Sequence, residues 1–237
     1  MIYKLEYPIQ KLPTDIIEII QDFVCFKPKT TTELNKAALD WLKDKVRASK
    51  RYGNISIWNT SLITSMENTF CNWLSDKFNE DLSYWDVSNV TTMERMFYRC
   101  INFNRPLNNW DVSKVQCMRQ MFEDCRNFNQ PLNDWNVSNV TNMNDMFQDC
   151  QNFNQPLNNW DVSKVENMCG MFNECKKFVQ PLNNWDVSKV KNMAGMFQNC
   201  ENFNQPLDNW DVSKVKQMQV MFCNCYKFNQ PLNNWNV

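Results

Sequence analysis

Histidine is missing altogether from this 237-residue sequence. Its absence removes the commonest general acid or base near neutral pH, and the usual histidine-containing zinc sites with it. Long apolar runs are missing too. No stretch approaches the ~20 residues that cross a bilayer, and the opening MIYKLEYPIQKLPTD has no continuous apolar core of the kind an export signal needs. A surplus of either charge is also lacking, with 25 Lys+Arg against 26 Asp+Glu, so no whole-molecule field draws in nucleic acid or an anionic membrane. Only Lys43, Lys45, Arg47, Lys50 and Arg51 cluster, interrupted by Asp44, which reads as a solvated helix face. Eleven cysteines are present. In a chain of this length without an export signal they read as reduced thiols in a cytoplasmic setting, not as a disulfide scaffold.

What the chain has is repetition. Tryptophans stand at Trp85, Trp110, Trp135, Trp160, Trp185, Trp210 and Trp235, each 25 residues after the last. Cysteines keep the same step at Cys100, Cys125, Cys150, Cys175, Cys200 and Cys225, as do Pro-Leu pairs from Pro106-Leu107 to Pro231-Leu232. An irregular first unit takes 27 residues from Trp58 to Trp85; its Met66 and Phe70 align with Met93 and Phe97. Its two extra residues are placed between Trp73, at the cysteine position, and Phe78. A period of this size marks stacked repeats, each burying its apolar face only against neighbours.

Within one unit the pattern changes period. Trp110 and Val112 alternate with Asn109, Asp111 and Ser113, which predicts a short strand. Val115, Met118, Met121, Phe122, Cys125 and Phe128 then follow at the spacing of one helix stripe. Ser113 with Gln116, and Ser163 with Glu166, match a capping box, and FNQPL ends the helix because proline removes a donor. The expected fold is therefore α/β: a right-handed solenoid of leucine-rich-repeat type, one short parallel strand and one short helix per coil. It has about seven coils over 54–237, the last incomplete, and the handedness follows the rule for parallel crossovers.

The segment FNQPLNNWDVSKVENMCGMFNEC resembles the 25-residue repeat of the BspA-type leucine-rich repeat proteins, the DUF285 family, over about residues 54–237. Bacterial members are typically surface proteins or adhesins, so the resemblance implies a binding role; an export signal is what this chain lacks beside them.

Residues 1–53 differ in texture and are expected to form a helical cap over the first coil. LPTDIIEIIQDFV carries a broad stripe of Ile16, Ile17, Ile19, Ile20, Phe23 and Val24. A second helix is predicted from Thr31 to Lys50. Thr30 and Glu33 would cap it, Leu34, Ala38, Trp41, Leu42 and Val46 would face inward, and Gly53 would stop it. LPTDIIEII is also similar to the opening of an F-box over Leu12 to Val24. That similarity implies docking on a Skp1-like protein of a ubiquitin ligase through Leu12, Pro13, Ile16, Ile17 and Ile20.

Candidate sites are weighed against packing roles. The recurring cysteines sit on the apolar stripe and read as small hydrophobic plugs, with Cys117, Cys169 and Cys223 outside that register. The paired methionines, Met118 and Met121 and their equivalents, read as soft packing. Asp86, Asp111, Asp161, Asp186 and Asp211 recur between Trp and Val, Asn136 and Asn236 replacing two of them. Three roles stand open for that stripe: turn building by Asp-x-Ser bonds to backbone, a concave acidic surface for a partner, or calcium. The residue pairs between the methionines (ER, RQ, ND, CG, AG, QV) and before the ladder cysteine (YR, ED, QD, NE, QN, CN) change from copy to copy.

No catalytic set, cofactor or metal is expected, since no copy supplies nucleophile, base and orienter together. The function expected is a noncatalytic protein-interaction scaffold, with a ubiquitin-ligase substrate adaptor as the form that the F-box-like segment implies. An adhesin-type protein binding extracellular protein or glycan is the alternative. Trp235 and Val237 are expected to leave the last coil uncovered, favouring end-to-end self-association.

Overall fold

The computed structural model describes residues 25–236 together with Pro13, Ile16, Ile19 and Ile20. Copies of the 25-residue unit lie one on the next in parallel register. Isolated parallel bridges join Ser65 to Thr92, Thr92 to Cys117, Cys117 to Asn142, and so on through Asn167 and Asn192 to Gln217. One continuous apolar core runs from Leu34 to Cys225 through every copy.

Two sequence expectations about the unit are overturned. The Trp-x-Val segment is a pair of tight turns, not a strand: Trp110 N–H bonds Leu107 C=O, and Val115 N–H bonds Val112 C=O. Inter-copy pairing falls instead on Cys117 and its equivalents. The stripe from Met118 to Cys125 is not a helix either. Its backbone donors alternate. Met118, Gln120, Phe122 and Asp124 give their N–H groups to Asn142, Asn144, Met146 and Gln148 of the next copy, while Met121, Glu123 and Cys125 bond back three residues.

A helix needs every donor to reach back four residues, and half of these donors are committed across the copy boundary. Left-handed backbone enforces the choice. One column of positive φ runs through Arg95, Gln120, Asp145, Gly170, Gly195 and Val220, and a second, four residues on, through Arg99, Asp124, Asp149, Glu174, Asn199 and Asn224. Successive three-residue turns still bring Met118, Met121, Phe122, Cys125 and Phe128 to one buried side, which is why the helix spacing was present.

Side chains tie the copies as firmly as the backbone does. The Trp110, Trp135, Trp160, Trp185 and Trp210 indole N–H groups each donate to the leucine carbonyl 28 residues earlier, at 2.8–3.0 Å. Cys125, Cys150, Cys175 and Cys200 thiols donate to the phenylalanine carbonyl 28 residues earlier at 2.9–3.0 Å. Phenylalanine rings stack between copies, Phe122 on Phe147 at 5.7 Å and 4°. FNQPL ends no helix, since none precedes its proline, and its asparagine builds a further ladder. Asn104 Oδ1 accepts the Asn129 N–H, and Asn129 Oδ1 the Asn154 N–H.

The irregular copy keeps this frame by a different alignment from the one expected. Trp73 is 82% exposed, and Ser75 is fully buried with its hydroxyl on the Phe70 carbonyl, to which Cys100 Sγ also points. Ser75 therefore occupies the foot of the thiol column, and the two extra residues fall before it, in 71–74.

At the amino end the expected single helix is two: α1 (Thr31–Lys43) and α2 (Lys45–Tyr52). Asp44 closes the first and caps the second, its carboxylate accepting Arg47 N–H at 2.9 Å, so Val46 turns out to water at 66% exposure instead of facing the core. Thr30 Oγ1 accepts Glu33 N–H at the start of α1. Leu34, Ala37, Ala38 and Trp41 are buried against the first copy, where Trp41 meets Trp58 edge-on at 6.0 Å.

Candidate binding surface

The recurring aspartates build turns. Asp86, Asp111, Asp161, Asp186 and Asp211 are exposed, and each Oδ1 accepts the N–H of the serine two residues on at 2.9–3.0 Å. Asn136 does the same with Ser138 at 3.2 Å, which explains why an amide substitutes there. Hydrogen bonds from the serine hydroxyl and N–H hold Asp111, Asp161, Asp186 and Asp211 below the usual carboxylate range. Lysines beside them are engaged across copies, Lys114 Nζ on Asn89 Oδ1 and Lys164 Nζ on Asn139 Oδ1. A groove of about 350 Å³ runs along Asn183, Trp185, Asp186, Asn209 and Asp211. Among the described residues no group of three or more His, Cys, Asp or Glu is placed to hold a metal ion.

The bridged face is different: asparagine recurs at Asn142, Asn167 and Asn192, but the place two residues on changes with every copy from Glu94 to Gln219. Glu94 Oε1 takes Arg119 Nη1 at 2.9 Å, Arg119 Nε gives to Asn144 Oδ1 at 3.2 Å, and Asn144 Nδ2 gives to the Cys169 carbonyl at 3.0 Å, a relay through four copies. Arg95 Nε donates to Gln120 Oε1 at 2.6 Å.

Beside this relay lie two half-buried carboxyls. Burial, reinforced by the charge of Asp145, pushes Glu123 up to about 7, and its Oε2 is enclosed without a hydrogen-bond partner among the described residues. Burial also raises Asp145. Asp145 Oδ1 fills the place a Cβ on Gly170 would take, only 2.0 Å from it, so the close approach calls for glycine there, whereas φ +60° alone does not, since Arg95, Gln120, Asp145 and Val220 share it.

Cysteine chemistry is quenched by the same packing. Burial pushes the Cys100, Cys125, Cys150, Cys175 and Cys200 thiols well above their ordinary range, which makes them poor nucleophiles. Cys223 is exposed. Of the F-box-like residues, Leu12 and Ile17 lie outside the described residues, Pro13 and Ile16 are exposed, and Ile20 is half-buried. In the last copies Met218, Val220, Met221, Phe222, Leu232 and Trp235 line an open cavity of about 470 Å³.

The indole and thiol columns read from the sequence as packing alone; their hydrogen bonds, and the whole asparagine ladder, are not legible there, although each keeps the 25-residue step. The missed signal for the left-handed columns was their content of Asp, Asn and Gly, the residues that tolerate positive φ best.

A family model described as "Mycoplasma protein of unknown function, DUF285" matches residues 40–160 and 142–237. No curated protein and no solved structure matches the chain.

Proposed function

This chain belongs to the DUF285 family, and on that premise we propose that it is a noncatalytic protein-interaction scaffold, a right-handed solenoid that presents a variable face to a protein partner. One observation carries the reading. The frame residues repeat almost unchanged, whereas Glu94, Arg119, Asn144, Cys169, Ala194 and Gln219 occupy one and the same place in successive copies. A surface that reads one irregular protein needs such copy-to-copy change, and loops on a rigid repeat frame are where recognition is built.

Photo-crosslinkers at Gln148 and Gln198 on this face are expected to trap protein partners, while the same group at Asn109 and Asn159 on the uniform Asn-Asn-Trp turn traps none. Trapping only from the uniform turn would move the binding role to the aspartate stripe. In the adaptor version of this proposal the partner at the amino end is a Skp1-like protein in the cytoplasm. Full-length chain should then capture it, and chain lacking residues 1–30 should not. A second reading, an adhesin-type protein holding a repetitive extracellular ligand, is favoured by the uniformity of the Asp-x-Ser turns along the groove at Asp186 and Asp211.

A further inference from the structure

Among the described residues tryptophan is a frame residue packed on the core, Trp235 being partly buried in the last copy, and Trp73 alone stands out in the open. Trp41, Trp58, Trp85, Trp110 and their successors to Trp210 are at most 5% exposed, whereas Trp73 is 82% exposed. Its exposure is built in. Residues 71–74, which hold the two extra positions, leave the core between Phe70 and Ser75, and both sides of the excursion are fastened. Cys71 N–H bonds Asn68 C=O at 3.1 Å. Asn72 N–H bonds Ser75 Oγ at 3.2 Å, and Asn72 Oδ1 accepts Leu74 N–H at 3.1 Å. The buried Ser75 then pins the return. An indole held outward on a fixed turn meets a ligand at little cost in ordering.

The surroundings specify the ligand. Asn72, Trp73, Asp76, Arg99 and Ile101 line a concavity of about 80 Å³, too small to enclose a ligand and suited to one ring lying against the indole. Charges at its rim balance: Asp76 and Arg99 both line it, while Asp124 holds Arg99 at 3.6 Å and Arg126 at 2.7 Å. A strongly acidic or basic segment gains little there. A neutral ring with one apolar C–H face and a rim of hydroxyls uses every group. Its flat face covers the indole and Ile101, and its hydroxyls meet a carboxylate, an amide and a guanidinium, which offer paired acceptors and donors.

We propose that Trp73, with Asn72, Asp76 and Arg99, forms a shallow subsite for one neutral sugar ring of an oligosaccharide. The proposal is independent of the protein-scaffold reading and survives its failure.

Indole N–H resonances of the full chain, with Trp73's assigned by its loss in Trp73→Phe, give the test. Titration with laminarihexaose and with chitohexaose is expected to shift the Trp73 resonance saturably for at least one of them, with a Kd in or below the millimolar range. Trp73→Ala should melt like the parent chain and weaken binding at least about tenfold. Trp73→Tyr, which keeps an aromatic face, should stay within about threefold, and Asp76→Ala should weaken binding without disturbing the melt. The idea is overturned if neither sugar moves the Trp73 resonance, if Trp73→Ala binds as tightly as the parent, or if octa-aspartate or octa-lysine moves that resonance more than the sugars do.

Discussion

The junction between α1 and the first copy and the junction between two copies solve one problem with different materials. Between copies, backbone N–H groups of Met93 and Arg95 meet the carbonyls of Cys117 and Arg119. At the cap, the equivalent carbonyls of Ser65 and Glu67 are met by side chains, Thr31 Oγ1 at 2.7 Å and Asn35 Nδ2 at 2.9 Å. Thr31 and Asn35 are four residues apart, one turn of α1, so a single helix face mimics the edge of a missing copy. The imitation stops at the indole column. Trp85 Nε1 finds the Ile55 carbonyl at 2.8 Å, but Trp58 Nε1 is buried among Phe26, Trp41 and Tyr52 with no acceptor among the described residues. A helix offers no free carbonyl on its flank, because its own ladder uses them. A cap can therefore satisfy donors or acceptors from side chains, yet it gives up the one acceptor that only another copy supplies.

The strongest way to break that contrast is at the indoles. Trp135→Ala should lower unfolding free energy by about 3–5 kcal/mol, the range for losing a large buried aromatic. Replacing Trp by Phe then separates the two junctions. Trp135→Phe removes one of the two donors on the buried Leu107 carbonyl, which keeps the Trp110 N–H, and should cost about 0.5–1.5 kcal/mol more than Trp58→Phe, which removes a donor that has no partner among the described residues. Equal costs in urea unfolding of the two variants would mean that the indole N–H ladder does not hold copies together.

How much of this was readable before any coordinates? The repeat and its inward residues were: Trp110, Val112, Val115, Met118, Phe122 and Cys125 are all buried. Their conformation was not. A helix and a run of three-residue turns both return a side chain to one face every three or four residues, so apolar spacing alone cannot separate them. Backbone handedness does separate them, and it was written in Asp145, Gly170, Gly195 and Asn199 rather than in the hydrophobic residues. The break in the cap helix was legible in principle, since Asp44 is a good N-cap and a poor interior residue. On the candidate surface, the Asp-x-Ser bonds followed from local chemistry. Glu123 did not, because its environment comes from Asp145 and Arg95 on neighbouring copies.

That residue gives the next effect in size and tests the variable face against the frame. Glu123 binds its proton more tightly in the folded chain, at about 7 against an ordinary 4.5. Its contribution to stability is thus fully present below the unfolded value and is lost as pH rises through 7. With water reaching part of the side chain, the loss between pH 5 and pH 8 should be about 1–2 kcal/mol. Glu123→Gln should flatten that part of the stability–pH curve, while Glu166→Gln, an exposed glutamate paired with Lys191, should leave it sloping. A parent curve that is already flat from pH 5 to 8 would show that the frame keeps Glu123 ionised.

The smallest effect lies where the frame itself lapses. Asn79, Asn104, Asn129 and Asn154 each accept the N–H of the residue 25 positions on. Val179 takes its place in that column as a donor, to Asn154 Oδ1 at 3.0 Å, but has no side-chain acceptor to pass forward. The Asn204 N–H accordingly lacks the bond its equivalents make, although Asn204 Oδ1 resumes the ladder toward Asn229 at 2.8 Å. Val179→Asn should restore both this rung and the amide contact that Gln205 would share with Gln130 and Gln180. A gain of about 0.5–1 kcal/mol is expected for one recovered bond at a partly wet site. The gain should reach the cap only through the intervening copies, since each unit touches its neighbours alone. Hydrogen exchange should therefore slow most at Asn204 and the copies on either side of it, and hardly at all at Leu34 or Trp41. Uniform slowing along the chain would instead mean that the copies and the cap open as one cooperative unit.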